Sequence, residues 1–290
     1  MTAKDELARR RYENLVDRLE GLLQASDRRD NGPGLAGGPL SPAGLSHPDA
    51  LLAETDWGSL EHAYGTAEDT PAHLVGLLDT DQRVRSQALD HLHYSVHHQN
   101  TLYTATIPAA LYVAGILPDP RTARPVDKER HDLPGPLRAA LLGWLGSVAD
   151  AADDETGAAM RRFGFPPEEY PPFVGICEIR PVLFSAVSAC FDDRDPDVRG
   201  AAIAACIPML DDPRLHRHRK ALVPQLRETL AVSTLWQYQE RAIEALAAWG
   251  EDTSGLEVRR EAFEVCHEPN DTSSAADWVL SPSDAADLPF

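Results

Sequence analysis

The chain has 290 residues, of which 43% are hydrophobic and 25% are charged, and its formal net charge is −19. This length and composition are typical of a globular protein with a sizeable core. The negative charge repels nucleic-acid phosphates and attracts basic partners, so generic nucleic-acid binding is disfavoured. The sequence contains no run of about 18 apolar residues, which predicts no transmembrane helix.

The amino terminus and the cysteines predict a cytoplasmic protein with reduced thiols. MTAKDELARRRYENL is charged and lacks the apolar stretch of a secretory signal. The four cysteines include no CxxC pair, so neither a zinc framework nor a disulfide framework is expected. We therefore expect no membrane association and no cofactor.

Four segments are predicted along the chain. Residues 1–25 carry leucines along one face, which predicts an amphipathic helix. Residues 26–50 are rich in Gly and Pro, which is typical of a linker. Residues 51–250 are predicted to form a helical array, and residues 251–290 an acidic C-terminal cap or tail. We find no convincing run of alternating strands.

An internal repeat organises the helical array. The segments at 77–92 and 190–206 share the pattern D-x-D-x-x-V-R-x-x-A-[LI], and weaker copies lie at 136–146 and 238–250. An aspartate before a helix can accept hydrogen bonds from the first N–H groups of that helix. We expect the arginine after the valine to reach back toward the aspartates. Each helical pair leaves an apolar face uncovered, so the pairs must stack.

This pattern resembles HEAT-like repeats. The sequences DWGSLEHAYGTAEDTPAHLVGLL and HHQNTLYTATIPAALYVAGIL are similar to the first part of a group of actinobacterial HEAT-repeat proteins, which mostly have no assigned activity. The resemblance covers about residues 55–250, while residues 117–136 and 164–175 depart from regular spacing. It implies an all-α fold, a right-handed α-α superhelix (solenoid) of HEAT-like helical repeats, and a binding or immunity role more than catalysis.

Four histidines fall within HLHYSVHH (91–98), and two interpretations are open. On a continuous helix His93 and His97 share a face, and a pair with this spacing can bind a divalent metal. The helical catalytic motif also needs an interposed glutamate and a third ligand, which this segment lacks. Alternatively, the segment is a helix end, where the negative dipole suits histidine. We predict no metal site here and treat His93 and His97 as candidate contact residues.

Two further features bear on binding. Most aromatic residues are expected to pack in the core or between repeats, and this is also the favoured interpretation of Trp236 and Tyr238. Because these two precede an apolar stripe, they are the best candidates for exposure, and we treat them as candidate binding residues. RLHRHRK (214–220) is the one dense basic run, and it is either a solvated connection between helices or a phosphate-binding patch. The sequence contains no GxSxG, P-loop, GxGxxG or HExxH motif, so no catalytic residue is predicted.

These features predict a protein-binding solenoid rather than an enzyme. Its expected role is that of an immunity-type or antitoxin-like protein, which masks a basic protein partner by charge complementarity. The alternative is a HEAT-like enzyme or metal-dependent protein that uses the cluster from His91 to His98. A nucleic-acid scaffold that uses residues 214–220 is the least favoured hypothesis.

Overall fold

A computed structural model describes three stretches of the chain, which are residues 47–126, 135–233 and 235–258. The predicted N-terminal helix at 1–25 lies outside these residues, and so do most of the predicted linker at 26–50 and most of the acidic segment at 251–290.

Helices dominate the described part of the chain, which confirms the all-α expectation there. The α-helices are α1 (Pro48–Glu54), α2 (Thr70–Gly76), α3 (Gln82–His91), α4 (Thr106–Ile116), α5 (Leu137–Asp150), α6 (Asp154–Arg162), α7 (Pro171–Ser188), α8 (Pro196–Met209), α9 (Arg219–Val232) and α10 (Trp236–Ala248). A short antiparallel hairpin of β1 (Glu61–His62) and β2 (Gly65–Thr66) precedes α2. None of the described helices is long and apolar enough to cross a membrane.

The two copies of the repeat pattern make the same hydrogen bonds at their aspartates. Asp79 accepts the N–H of Asp81 at 2.7 Å, and Asp193 accepts the N–H of Asp195 at 2.9 Å. Asp81 and Asp195 are the N-caps of α3 and α8, and each accepts the N–H two residues further on at 2.8 Å. The predicted capping role is confirmed for Asp81 and Asp195, whose carboxylates accept N–H groups of the first helical turn, while Asp79 and Asp193 each bind the N–H of the cap residue.

The arginines of the pattern also behave alike. Arg85 donates to the carbonyl oxygens six and five residues before it, each at 3.0 Å. Arg199 donates to the equivalent two carbonyls at 2.8 and 3.2 Å. The arginine therefore reaches back to the aspartate turn as predicted, although its acceptors are backbone carbonyls rather than carboxylates. Arg85 also donates to the Pro125 carbonyl at 2.9 Å, which joins the first copy to a later segment.

A second repeated turn follows α4 and α8. Asp119 and Asp212 each accept, at 2.8 Å, the N–H of the arginine two residues later, and a 3-10 helix begins between them. Arg121 and Arg214 then fold back onto the same carboxylates, at 2.7 and 2.6 Å. The segment 117–136, which the sequence suggested to be an interruption of the spacing, therefore begins with a turn that recurs at 212–214.

The dense basic run at 214–220 connects α8 to α9. Its first part is the 3-10 helix Pro213–His218, and α9 begins at Arg219. Arg214 is paired with Asp212, and Arg219 donates to the Leu210 carbonyl at 3.0 Å. The arrangement is that of an inter-helix connection, which was one of the two interpretations of this run.

In the core, α5 and α8 pack unusually close together. Gly146 of α5 faces Ala205 of α8 so closely that a Cβ on Gly146 would lie 2.9 Å from the Ala205 Cα. Small side chains permit this approach, and α8 presents a row of buried alanines, which are Ala201, Ala202, Ala204 and Ala205. Trp144, two residues before Gly146, is fully buried, and its indole N–H donates to the Leu92 carbonyl at 3.1 Å. The core thereby holds the segment that follows α3.

Candidate functional site at the histidine cluster

The segment from His91 to His98 is not a continuous α-helix. α3 ends at His91, and Leu92–Val96 form one π-helical turn. The His97 N–H donates to the Leu92 carbonyl, five residues back, at 3.0 Å. A π turn holds more residues than an α turn, and His97 itself leaves the helix with φ −139°. His93 and His97 therefore do not lie on the continuous α-helix from which their shared face was predicted.

His97 is a buried packing residue rather than a surface contact. Its Nδ1 lies 3.1 Å from the Thr101 carbonyl oxygen, and its Nε2 lies 3.1 Å from the Ser147 hydroxyl. Because a carbonyl can only accept, Nδ1 carries the proton and Nε2 accepts from Ser147. Burial lowers the pKa of His97, and the two hydrogen bonds offset part of that effect. His97 therefore ties the turn to α5, while His93 is partly exposed on the π turn.

The short hairpin brings a histidine and an aspartate to His91. His62 on β1 is buried, and its Nε2 lies 3.0 Å from Oδ1 of Asp69, the residue that precedes α2. The Tyr64 backbone N–H donates to Nδ1 of His62 at 3.1 Å. The Nε2 proton of His62 therefore points at Asp69. Burial raises the pKa of Asp69, but this hydrogen bond and the nearby His91 lower it overall.

His91 lies between two other imidazole rings. It stacks on His73 with ring centroids 4.1 Å apart, and it meets His62 edge to face at 5.5 Å. Its Nε2 lies 3.0 Å from the buried hydroxyl of Thr70. Burial and the neighbouring His73 lower the pKa of His91 to about 4, although Asp69 opposes the shift. His91 is consequently a neutral imidazole at neutral pH.

Within the described stretches, His62, Asp69 and His91 are the side chains close enough to hold a metal ion together. One donor atom from each lies within 4.8 Å of the other two. Two of these three residues lie in HAYGTAED (62–69), outside the segment HLHYSVHH in which metal ligands were expected, so the sequence did not predict them. A histidine and an aspartate on either side of a glycine turn could have been recognised as possible metal ligands, but nothing in the sequence indicates that they lie close to His91.

One exposed tyrosine lies in the turn of this hairpin, and a second lies on the neighbouring π turn. Tyr64 at the hairpin tip is 70% exposed, and Tyr94 on the π turn is 61% exposed. The backbone joins their neighbours, because the Ala63 N–H donates to the Ser95 carbonyl at 3.0 Å. The Tyr64 ring lies 5.7 Å from the ring of His98. We call the surface formed by Tyr64, Tyr94 and His98 the tyrosine surface.

The backbone beside the tyrosine surface is strained. Gln99 and Asn100 have φ values of 49° and 58°, so two successive residues other than glycine adopt the left-handed conformation. Such conformations cost energy and are concentrated at functional sites. Oγ of Ser147 also lies 3.4 Å from Asn100 Oδ1, and Nδ1 of His98 is buried without a hydrogen-bond partner.

The other two candidate binding residues lie elsewhere, at the start of α10. Trp236 is 36% exposed. Tyr238 is only partly exposed and lies over Gly200, where a Cβ would be 3.7 Å from its ring. Burial raises the pKa of Tyr238 to about 12. Of the two interpretations, packing fits Tyr238 better than exposure, because its ring lies against Gly200 on α8. A binding role for Trp236 stays a prediction.

No protein-family model, curated protein or solved structure matches this chain. The resemblance to HEAT-like repeats therefore stays a prediction.

Proposed function

We propose that this protein is a binding scaffold that engages a basic protein partner through the tyrosine surface. The observation that carries the proposal is the exposure of Tyr64 and Tyr94 on either side of a backbone contact. Tyrosine is enriched among the residues that dominate binding energy, because it offers a large contact area at a small cost in side-chain entropy.

The charge around the tyrosine surface favours a basic partner. Residues 47–82 include eight acidic residues and no Lys or Arg. Glu61, Glu68 and Asp69 are exposed on or beside the hairpin. Acidic residues around exposed aromatic side chains speed association with a basic protein surface and disfavour association with an acidic one. The net charge of −19 for the whole chain acts in the same direction at longer range.

The hairpin is held in place before any partner arrives. The Glu61 N–H donates to the Thr104 hydroxyl at 2.8 Å, and the Glu61 carbonyl accepts the Ala105 N–H at 3.1 Å. The Ala67 N–H donates to the Leu60 carbonyl at 2.9 Å, which closes the base of the hairpin. A surface fixed in this way loses little conformational entropy on binding.

The proposal includes the repeat architecture expected from the sequence, a right-handed superhelix of HEAT-like helical pairs. Two observations support this part of the proposal. The two D-x-D turns make the same hydrogen bonds, and so do the two turns Asp119-Pro120-Arg121 and Asp212-Pro213-Arg214, which we call the D-P-R turns. It also includes an immunity-type or antitoxin-like role, in which the acidic surface masks a basic toxin or enzyme. A cytoplasmic location agrees with the free thiols of Cys177, Cys190 and Cys206.

An affinity experiment with the full chain tests the proposal. The immobilised protein is exposed to lysate of its source organism at low and high salt, and the retained proteins are identified. The variant Tyr64→Ser/Tyr94→Ser is compared with Phe163→Ser/Phe165→Ser, which alters two other exposed aromatic residues. We expect a basic protein whose retention falls with salt and whose affinity drops about 30-fold in the tyrosine variant only.

Three results would overturn the proposal. The first is that no protein is retained at low salt. The second is that the retained protein is acidic or insensitive to salt. The third is that the tyrosine variant and the phenylalanine variant bind equally well.

A further inference from the structure

We infer that His62, Asp69 and His91 form a binding site for a divalent first-row transition-metal ion such as Zn²⁺. The site lies next to the tyrosine surface, but its existence does not depend on partner binding. It combines three elements: His62 comes from β1, Asp69 precedes α2, and His91 ends α3. One donor atom of each side chain lies within 4.8 Å of the others.

The donor set selects the class of ion. Two imidazoles and one carboxylate suit Zn²⁺ and neighbouring transition metals, whereas Mg²⁺ and Ca²⁺ prefer oxygen ligands. Three protein ligands leave a fourth position open for water or another molecule. His62 and His91 are buried, and the Asp69 side chain is 57% exposed, so the ion would enter from the side of Asp69.

The ion would replace a proton that the two nearest donors already share. His62 Nε2 and Asp69 Oδ1 are 3.0 Å apart, with the His62 proton between them. In a tetrahedral zinc site with bonds of about 2.0–2.1 Å, neighbouring donors are about 3.3 Å apart. The hairpin therefore needs to open by only a few tenths of an ångström at this point, and the His91 donor atom lies within 4.8 Å of the other two.

Metal binding has a consequence for the hairpin tip. When Nε2 of His62 coordinates the ion, the remaining imidazole proton must sit on Nδ1, which now accepts the Tyr64 N–H. That hydrogen bond is given up, and Tyr64 lies at the exposed tip, where water can take its N–H. The metal site is thereby coupled to one of the two tyrosines of the tyrosine surface.

Two neighbours hold the His91 ring in place. The buried Thr70 hydroxyl lies 3.0 Å from Nε2 of His91, and His73 stacks flat against the ring with an interplanar angle of 9°. Polar neighbours of this kind orient the histidines of metal sites. Thr70 and His73 are accordingly positioning residues rather than ligands.

A Co²⁺ titration tests the site. The full chain, freed of any polyhistidine tag and of metal by chelator, is titrated with Co²⁺, and visible d–d absorption is followed. We expect one equivalent to bind with an absorption typical of nitrogen and oxygen ligands, and Zn²⁺ to displace it. Asp69→Asn and His91→Gln should weaken binding by about 100-fold or more, in line with the loss of an essential ligand contact. His47→Gln, which alters an exposed histidine, is the matched control and should bind like the wild type.

Asp69→Asn keeps the test decisive even if a histidine variant does not fold, because Asp69 is exposed and its replacement has the same shape. The inference is overturned if the wild type shows no saturable binding near one equivalent. It is also overturned if Asp69→Asn binds Co²⁺ as tightly as the wild type. Neither result would bear on the tyrosine surface, whose test uses different variants and a protein partner.

Discussion

Replacing Gly146 with alanine tests the closest helix contact in the core. The new Cβ would lie 2.9 Å from the Ala205 Cα and 3.1 Å from the Ala205 Cβ. Carbon atoms pack at about 3.5–4.0 Å, so α5 and α8 must separate by roughly half an ångström. The Ala205 Cα belongs to the backbone and cannot rotate away, so the whole helix has to move.

The magnitude follows from two opposing effects. Overpacking of a well-packed core costs about 1–3 kcal/mol. Alanine gains about 1 kcal/mol over glycine in a helix interior. Gly200→Ala provides the matched control, because Gly200 is also inside a helix but a Cβ there would be 3.7 Å from Tyr238, an ordinary contact. The difference between the two variants isolates the overpacking term, which we expect to be about 1–3 kcal/mol.

Urea denaturation measures this difference. The fluorescence of the tryptophans, including the buried Trp144, reports unfolding, and the midpoint and slope give the free energy of unfolding. We expect Gly200→Ala to be as stable as the wild type or slightly more stable, and Gly146→Ala to be less stable than both. Equal free energies of unfolding for the two variants would refute the close packing of α5 on α8.

Two further predictions concern buried polar groups. Arg138→Met should lower the free energy of unfolding by about 2–4 kcal/mol, because it leaves the partly buried Asp193 carboxylate, 2.6 Å from Arg138, without its cation. Arg161→Met breaks an exposed pair and should cost less than about 1 kcal/mol, and an equal loss from both variants would contradict this prediction. Burial lowers the pKa of His97 below the value of 6.5 that it has in the unfolded chain. As the pH falls below 6.5, the unfolded chain therefore binds the proton before the folded chain does, and the free energy of unfolding decreases until the pKa of the folded state is reached. His97→Gln disturbs the hydrogen bonds of His97 to Thr101 and Ser147, so it should be less stable than the wild type at pH 8. Urea curves at pH 8 and pH 5 should show this difference in stability becoming smaller at the lower pH. A gap independent of pH would show that His97 does not titrate in this way.

The helices and their caps could be predicted from the sequence because they depend on local interactions. Asp81 accepts the N–H of the residue two positions later, and Asp195 accepts those two and three positions later, so the spacing of the motif is enough to predict both caps. The D-P-R turns at 119–121 and 212–214 are equally local. They were missed because only the longer D-x-D pattern was followed, and because the turns sit at different distances from it.

The candidate site could not be predicted, because it depends on contacts between distant segments. His62 and His91 are 29 residues apart in sequence, and their rings meet only because the hairpin packs against the end of α3. The π turn after His91 also breaks the helical spacing on which the pairing of His93 with His97 relied. Whether Tyr238 is packed or exposed depends on a distant contact in the same way, since its ring lies against Gly200 on another helix.

The most direct test of the binding scaffold is site-specific photo-crosslinking from the tyrosine surface. A photo-reactive phenylalanine derivative is placed at position 64 in one preparation and at position 163, also exposed, in another. The account predicts that irradiation in lysate at low salt links position 64 to a basic protein, and that position 163 gives no such adduct. An absence of adducts at position 64, or the same adduct from both positions, would contradict it.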